Sequence, residues 1–465
     1  MGCAVIPPTL GSHVWSVDCT MGFVLTILYL LTAYLGPATI FGPLAAAHIE
    51  LILAASVLLV SLPSMPGSLI WKTPQSLALV GLAFATLLSV LVTGWTGGAV
   101  QVFLNFIPNA FAYFSVCLHC NSKKKLKILI LVLLFVCLFV IAHGYYDVSN
   151  GLTTSDYVFA QKSDAGEWFY RIKGLDFISD PNDFAQVIVC VIPLVFIFWH
   201  SKKSIRNFFC VILPVCGLLY GAYLTHSRGS VIALMAITVV ALRRRIGTVL
   251  SLMMAGGLFV AATALQYTGG RDISADAGSG RMDAWAFGLQ LLISHPFIGV
   301  GYGRFTEYYF ITAHNSIVVC GAELGFIGLY FWSLFIFPTM RDALEISSPT
   351  KVSAAELPVA EQEGPFPYAI MKTEEIDKDE VNRLGRLIVL SLTGFLVTGW
   401  FLSRAYTMTL FLLGGIAEVI FEMALRHGMV SPRMPSVRVL RNSVAIALLL
   451  PVAMYIFLRL GNIMR

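Results

Sequence analysis

The sequence predicts an all-α protein that crosses a membrane many times, and three observations predict it. Of its 465 residues 57% are hydrophobic and only 12% charged, with a mean hydropathy of +0.79. An ordinary soluble domain carries about twice that charged fraction. Apolar runs of roughly 17–22 residues, the length a helix needs to cross a bilayer, recur from end to end. The clusters of Lys and Arg between the runs fall on one side of the membrane without adjustment. A membrane β-barrel needs shorter alternating segments, which are missing. The count is about twelve or thirteen spans.

In chain order, apolar runs at about 21–41, 44–62, 76–94 and 99–118 lead to the basic cluster 123–127, cytoplasmic by the positive-inside rule. Four spans before it put the N-terminus on that side too. A run at about 127–143 leads out to the polar segment 144–182. The next returns to the basic cluster 202–206, goes out to 225–229, and returns to Arg243-Arg244-Arg245. A run at about 247–266 leads out to the long segment 267–314, and one at about 316–338 returns. Segment 340–386 has Pro, acidic residues and no apolar periodicity, so it reads as a flexible cytoplasmic insertion. Runs at about 387–402 and 406–423 flank the outward turn Ser403-Arg404-Ala405-Tyr406, and a last one lies at about 443–459. This divides the chain into N-terminal spans (1–126), a central region carrying the chemistry (127–339), the insertion (340–386) and C-terminal spans (387–465).

Composition excludes several classes. The nine cysteines sit mostly within or beside apolar runs, and segments 144–182 and 267–314 contain none, which argues against a disulfide framework and a zinc site. The net charge of +5 is cytoplasmic loop charge, not a nucleic-acid surface. The first apolar run is long enough to span and has no clear basic region before it, so no cleavable signal peptide is expected.

The stretch Gly278–Gly328 carries Arg281, Asp283, His295, Arg304, Glu307, His314, Asn315 and Glu323 between two apolar runs. It reads as a loop and half-buried helices at the outer membrane face. Arg171, Arg228, Arg281, Arg304 and His314 all fall outside, against the charge bias, which calls for a local reason. Arg281 follows Gly278-Ser279-Gly280, a turn that lets backbone amides approach an anion while the guanidinium grips it; a lipid-headgroup anchor is the plainer alternative. Arg228, in THSRGS before a span, has the same two readings. His314 stands at a polar–apolar boundary, where a histidine takes a proton from a hydroxyl or simply caps a helix. Gly321-xxx-Gly325 has close-packing spacing, and Glu323 inside a span needs a partner. Asp180-Pro181-Asn182-Asp183 reads first as a turn and N-cap, second as support for a site. Its aspartates lack a histidine cluster, so no metal is assigned. Gly299-Val300-Gly301-Tyr302-Gly303 echoes an ion-selectivity filter and a nucleotide loop but has the context of neither; a tight turn fits it.

Five pieces taken together resemble the O-antigen ligase superfamily, which also holds O-antigen and exopolysaccharide polymerases and protein O-oligosaccharyltransferases. They are DPNDFA at 180–185, THSRGS at 225–230, SGRMDAW at 279–285, HPFIGVGYGRF at 295–305 and AHNSIVVCGAELGFIGLY at 313–330. The resemblance covers about 170–335. It implies a GT-C-like membrane fold with periplasmic loops and half-helices in a bacterial inner membrane. It implies transfer of a glycan from undecaprenyl diphosphate to an acceptor hydroxyl, without cofactor or metal. Arg228 and Arg281 would take the diphosphate, and His314 would activate the acceptor. Asn315 and Arg304 would support them, with Arg171 a further substrate contact. The acceptor would be lipid A core for a ligase, or a carrier-linked glycan for a polymerase, with ligase preferred. A polysaccharide or glycolipid transporter is the rival from another class. It should show repeat symmetry or broken helices in paired halves, and the sequence shows neither.

Overall fold

The computed structural model describes residues 11–46, 49–62, 65, 69–163, 166–267, 276–348, 378–426, 429–430, 433 and 436–461. The architecture is an all-α bundle. Its long helices are α1 (Gly11–Leu35), α2 (Ile49–Ser61), α3 (Pro74–Leu91), α4 (Thr96–His119), α5 (Lys123–Ser149), α6 (Pro181–Val195) and α7 (Leu213–Leu224). Then follow α8 (Arg228–Ile246), α9 (Thr248–Ala264), α10 (Asp276–Ser294), α11 (Ser316–Ser347), α12 (Lys378–Gly399), α13 (Met408–Arg426) and α14 (Ser436–Leu460).

Among the described residues nine helices are long and apolar enough to cross a membrane, and three shorter apolar helices lie at Thr20–Leu35, Ile49–Ser61 and Thr248–Ala264. Helix α8 matches another predicted run but carries arginines at both ends. Polar caps mark several of the starts. Thr73 accepts from Ser76 N–H at α3, Ser122 from Lys125 N–H at α5, and Asp180 from Asn182 N–H at α6, where Pro181 takes the first helical position. The centre of the bundle is aromatic. Phe335 packs on Phe411 at 5.3 Å and on Tyr113 at 5.8 Å, and Phe411 reaches Phe106 at 5.8 Å.

The two ends differ in charge as the hydropathy pattern predicts. At one end Lys123 pairs with Glu380, Arg383 donates to Trp199 O at 2.9 Å, and Arg244 donates to Ser348 Oγ at 2.6 Å. All three basic clusters are thus at that end. At the other end Arg171 reaches Thr225 and Arg404 pairs with Asp183.

Four expectations need revising. Segment 144–182 holds a small antiparallel hairpin, β1 (Val158–Lys162) with β2 (Trp168–Ile172), in which Phe159 faces Arg171. Residues 278–280 are not a turn but the first turn of α10. Helices α11 and α12 run into 340–386 from both sides; the rest of that segment, 349–377, lies outside the described residues.

The fourth concerns Gly325, which packs closely on the Phe297 backbone but within a break of the helix and not on a continuous helix face. Helix α11 breaks there, with φ 62° and ψ −160°, a backbone region open essentially to Gly alone. A helix broken inside a bundle leaves amides and carbonyls that must be satisfied. The turn at 295–303 does this. Val300 N–H donates to Ala322 O (2.9 Å) and Gly301 N–H to Glu323 O (3.0 Å). Phe326 N–H donates to Pro296 O (2.7 Å) and Ile327 N–H to Phe297 O (3.2 Å). Gly299, Gly301 and Gly303 all have positive φ, so the glycine-rich run is the tight turn expected of it. The Gly303 and Phe305 amides lie on the side of the buried Glu323 carboxyl, where they favour its charged form.

Candidate active site

The N-terminus of α8 faces a small pocket lined by Asn182, Ser227, Arg228, Gly229, Arg281, Thr398, Phe401 and Leu402. Two of the three arginines and histidines expected to carry the chemistry therefore line one space. Arg228 is the first residue of α8, where unpaired amides and the helix dipole already favour an anion. Ser227, at the cap, makes no capping hydrogen bond through its side chain. Arg281 comes from α10. Burial first, and the Arg228 cation second, lower its pKa, with Asp180 acting the other way. A site that brings two guanidiniums together against that repulsion is suited to an anion of more than one charge.

His314 is clamped from both sides. Its backbone is left-handed, with φ 48°, a sparsely populated region for such a residue. Its N–H donates to Ser403 Oγ at 2.8 Å, and Trp285 Nε1 donates to Ala313 O at 2.7 Å. Next to it Asn315 caps α11, its Oδ1 accepting from Ile317 N–H (2.9 Å) and Val318 N–H (3.1 Å) and its Nδ2 donating to Trp400 O (3.1 Å). Asn315 is fully buried, so its polar atoms serve the helix and the turn. The His314 ring is half-buried. Burial and then the Arg281 cation lower its pKa, so the neutral ring that a base requires is the favoured form.

Arg171 is 3% exposed and committed to structure. Its Nε donates to Thr225 O (2.7 Å), Nη1 to Gln161 Oε1 (2.9 Å) and Nη2 to Asn182 Oδ1 (2.9 Å). It ties the hairpin to the turn before α8 and holds Asn182 at the pocket wall. Arg304 is elsewhere. It forms an ion pair with Glu307 at 2.7 Å, on the glycine turn whose Tyr302 N–H donates to Ser89 Oγ of α3 at 3.1 Å.

Sequence reading did not single out Arg404. It forms a two-pronged ion pair with Asp183 of the DPND turn, and its backbone N–H donates to Ser316 Oγ at 3.1 Å. Burial lowers its pKa, but the Asp183 carboxylate more than offsets this and the net shift is upward. Arg404 also lowers the His314 pKa, after Arg281. The signal was present: Arg404 is one more arginine in a turn that the charge bias reads as outward, subject to the same argument. The N-cap reading of Asp180 holds, its Oδ1 accepting from Asn182 N–H at 2.7 Å.

Residues 213–333 match the family model described as O-antigen ligase. The match runs from the start of α7 into α11 and contains Arg228, Arg281, Arg304, His314 and Asn315. A search among curated proteins found no match.

Proposed function

We propose, on the match of residues 213–333 to the family model described as O-antigen ligase, that the protein is a multi-pass membrane glycosyltransferase that moves a glycan from undecaprenyl diphosphate to an acceptor hydroxyl on the periplasmic side of a bacterial inner membrane. The observation that carries this reading is the pairing of Arg228 and Arg281 in one pocket at a helix N-terminus, with His314 electrostatically coupled to Arg281. Diphosphate is already a good leaving group. Arg228, Arg281 and the first amides of α8 would take up the charge that develops on it. His314 would remove the acceptor proton as the acceptor oxygen bonds to the anomeric carbon. The carbon–oxygen bond to phosphate would break with its electron pair going to the diphosphate, so the anomeric centre inverts. Asn315 and Arg171 act as positioning residues in this reading, as does Arg404 through its ion pair with Asp183.

Lipid A core is the preferred acceptor, which makes the protein a ligase; a carrier-linked glycan would make it a polymerase. A transporter is less well supported. Its broken helices would line a substrate path, whereas the four hydrogen-bonding groups freed at the Gly325 break are taken up by the protein's own 295–301 turn.

The test is the glycan phenotype of a deletion strain complemented with wild type, His314→Ala or Arg281→Ala. Long polymer retained on the carrier with bare lipid A core identifies a ligase, and single repeat units identify a polymerase. Normal glycan from both variants at normal protein level refutes the chemistry. Retention of anomeric configuration in the product refutes direct displacement.

A further inference from the structure

The three basic clusters at one end of the bundle are not alike, because two of them meet. Lys123 and Lys127 stand on the first turns of α5. Lys203 and Arg206 belong to the connection after α6, where a short helix (Ser204–Asn207) and a π-helical turn (Phe208–Ile212) lead into α7. Arg383 comes from the start of α12. These three elements, far apart in sequence, converge on His200. Its pKa is lowered by Arg206 first, then by burial, then by Lys203, Lys127 and Arg383. The positive-inside rule explains why the cations lie at this end. It does not explain why they crowd together against their own repulsion. The connection is built to hold them. Asn207 fixes His200 on both sides, its Oδ1 accepting from His200 N–H at 2.8 Å and its Nδ2 donating to His200 O at 2.5 Å. Arg383 Nη1 donates to Trp199 O at 2.9 Å. Of the carboxylates that open α12, Glu380 is shared by Lys123 and Arg383. Among the described residues Lys127, Lys203 and Arg206 form no ion pair. The first turn of α5 has no acidic residue either, although the helix dipole there already favours an anion.

Exposed apolar side chains continue from these cations along both helices. Leu131 and Phe135 follow Lys127 turn by turn on α5, and Phe209 and Leu213 lead into α7. Further along, the two helices close on each other: an added Cβ at Gly217 would stand 3.0 Å from Leu138 Cδ2, and one at Gly221 2.1 Å from Ile141 Cδ1. Both helices belong to segments long and apolar enough to cross a membrane, so their exposed faces meet acyl chains. We infer that this cluster binds an anionic phospholipid of the cytoplasmic leaflet, its two-phosphate headgroup held by Lys127, Lys203 and Arg206 and its acyl chains lying along Leu131, Phe135, Phe209 and Leu213. Three cations without carboxylate partners exceed the charge of one phosphodiester, which favours a headgroup with two, as in cardiolipin. A soluble acidic partner would reach the cations but not the apolar faces that continue from them into the membrane. The inference rests on the charge-bias orientation and is independent of the glycan-transfer reading.

The test is a titration of full-length protein in uncharged detergent with cardiolipin, bound lipid being counted by native mass spectrometry. The variant Lys127→Gln/Lys203→Gln/Arg206→Gln should weaken binding roughly a hundredfold, about fivefold for each cation lost. Arg243→Gln/Arg244→Gln/Arg245→Gln removes the same charge from the same end and should weaken it by less than about threefold. Equal losses in the two variants, or no loss in the first, overturn the inference and leave charge bias as the whole account. Phosphatidylglycerol, with one phosphate, should bind wild type about fivefold more weakly than cardiolipin, and phosphatidylethanolamine more weakly still. Equal affinity for all three lipids overturns the inference. Pyrophosphate bound as tightly as cardiolipin marks a site for soluble anions and overturns the lipid assignment. Each variant is also melted without lipid. If the first melts early, Lys203→Gln alone, on an exposed side chain, should still cost about fivefold in cardiolipin affinity, and undiminished affinity in it overturns the inference.

Discussion

Replacing Gly325 by Ala should damage the fold far more than the same change four residues earlier. At Gly325 φ is 62° and ψ −160°, and an added Cβ would lie 2.4 Å from the Phe297 carbonyl carbon, a backbone atom with no rotamer to escape into. Holding a non-glycine residue in that region costs about 1–3 kcal/mol. Relieving the contact requires moving the 295–301 turn, which holds four backbone hydrogen bonds worth about 1 kcal/mol each. Losing two of them brings the expected loss to about 3–5 kcal/mol. At Gly321 the added Cβ meets only side-chain ends, Leu329 Cδ1 at 3.2 Å and Leu292 Cδ2 at 3.3 Å. A few tenths of an ångström of adjustment there costs about 1 kcal/mol. The assay is equilibrium unfolding of the purified protein in mixed detergent, with hydrogen exchange at Val300, Gly301, Phe326 and Ile327. Gly325→Ala should expose these four amides. Equal stability of the two variants, or retained protection in Gly325→Ala, refutes the broken-helix account.

Removing Arg404 strands Asp183, a carboxylate 5% exposed, and should cost about 2–3 kcal/mol, below the range for a fully buried pair because Arg404 keeps some solvent; a double-mutant cycle with Asp183→Asn should show coupling, and additive losses would contradict the pairing. Because burial and Arg281 depress the His314 pKa, the acid limb of kcat/KM should lie below the ordinary histidine value of about 6.5. Arg281→Gln should move the limb of the residual activity upward, and a downward move would contradict the assigned coupling. Asn315→Ala removes the cap of α11 and should cost about 1–2 kcal/mol, with a loss of turnover from displaced His314; unchanged melting would show that the cap is dispensable. Arg171→Lys cannot reach Thr225, Gln161 and Asn182 together, so it should weaken donor binding roughly tenfold through Asn182, read as KM rather than kcat.

Much of this protein was determined by its sequence alone. Helices follow from long apolar runs because backbone groups in a bilayer must bond within their own segment. The end of the bundle at which each loop lies follows from Lys and Arg counts, and the structure gathers the clusters 123–127, 202–206 and 243–245 as that rule requires. The N-cap at Asp180 and the turn at 299–303 were legible for the same reason: caps and positive-φ turns are local, and Asp, Pro and Gly announce them.

Tertiary structure decided what depends on partners distant in sequence. Gly325 has the spacing of a packing glycine and packs closely, but only the docked turn shows that the helix also breaks there. Arg171, Arg281 and Arg304 look alike as outward arginines. The fold commits the first to Thr225 and Asn182, aims the second into the pocket with Arg228, and pairs the third with Glu307. Arg404 meets Asp183 across 221 residues of chain. No local pattern encodes such a meeting, because an arginine's role is set by which of its donors the fold has already used.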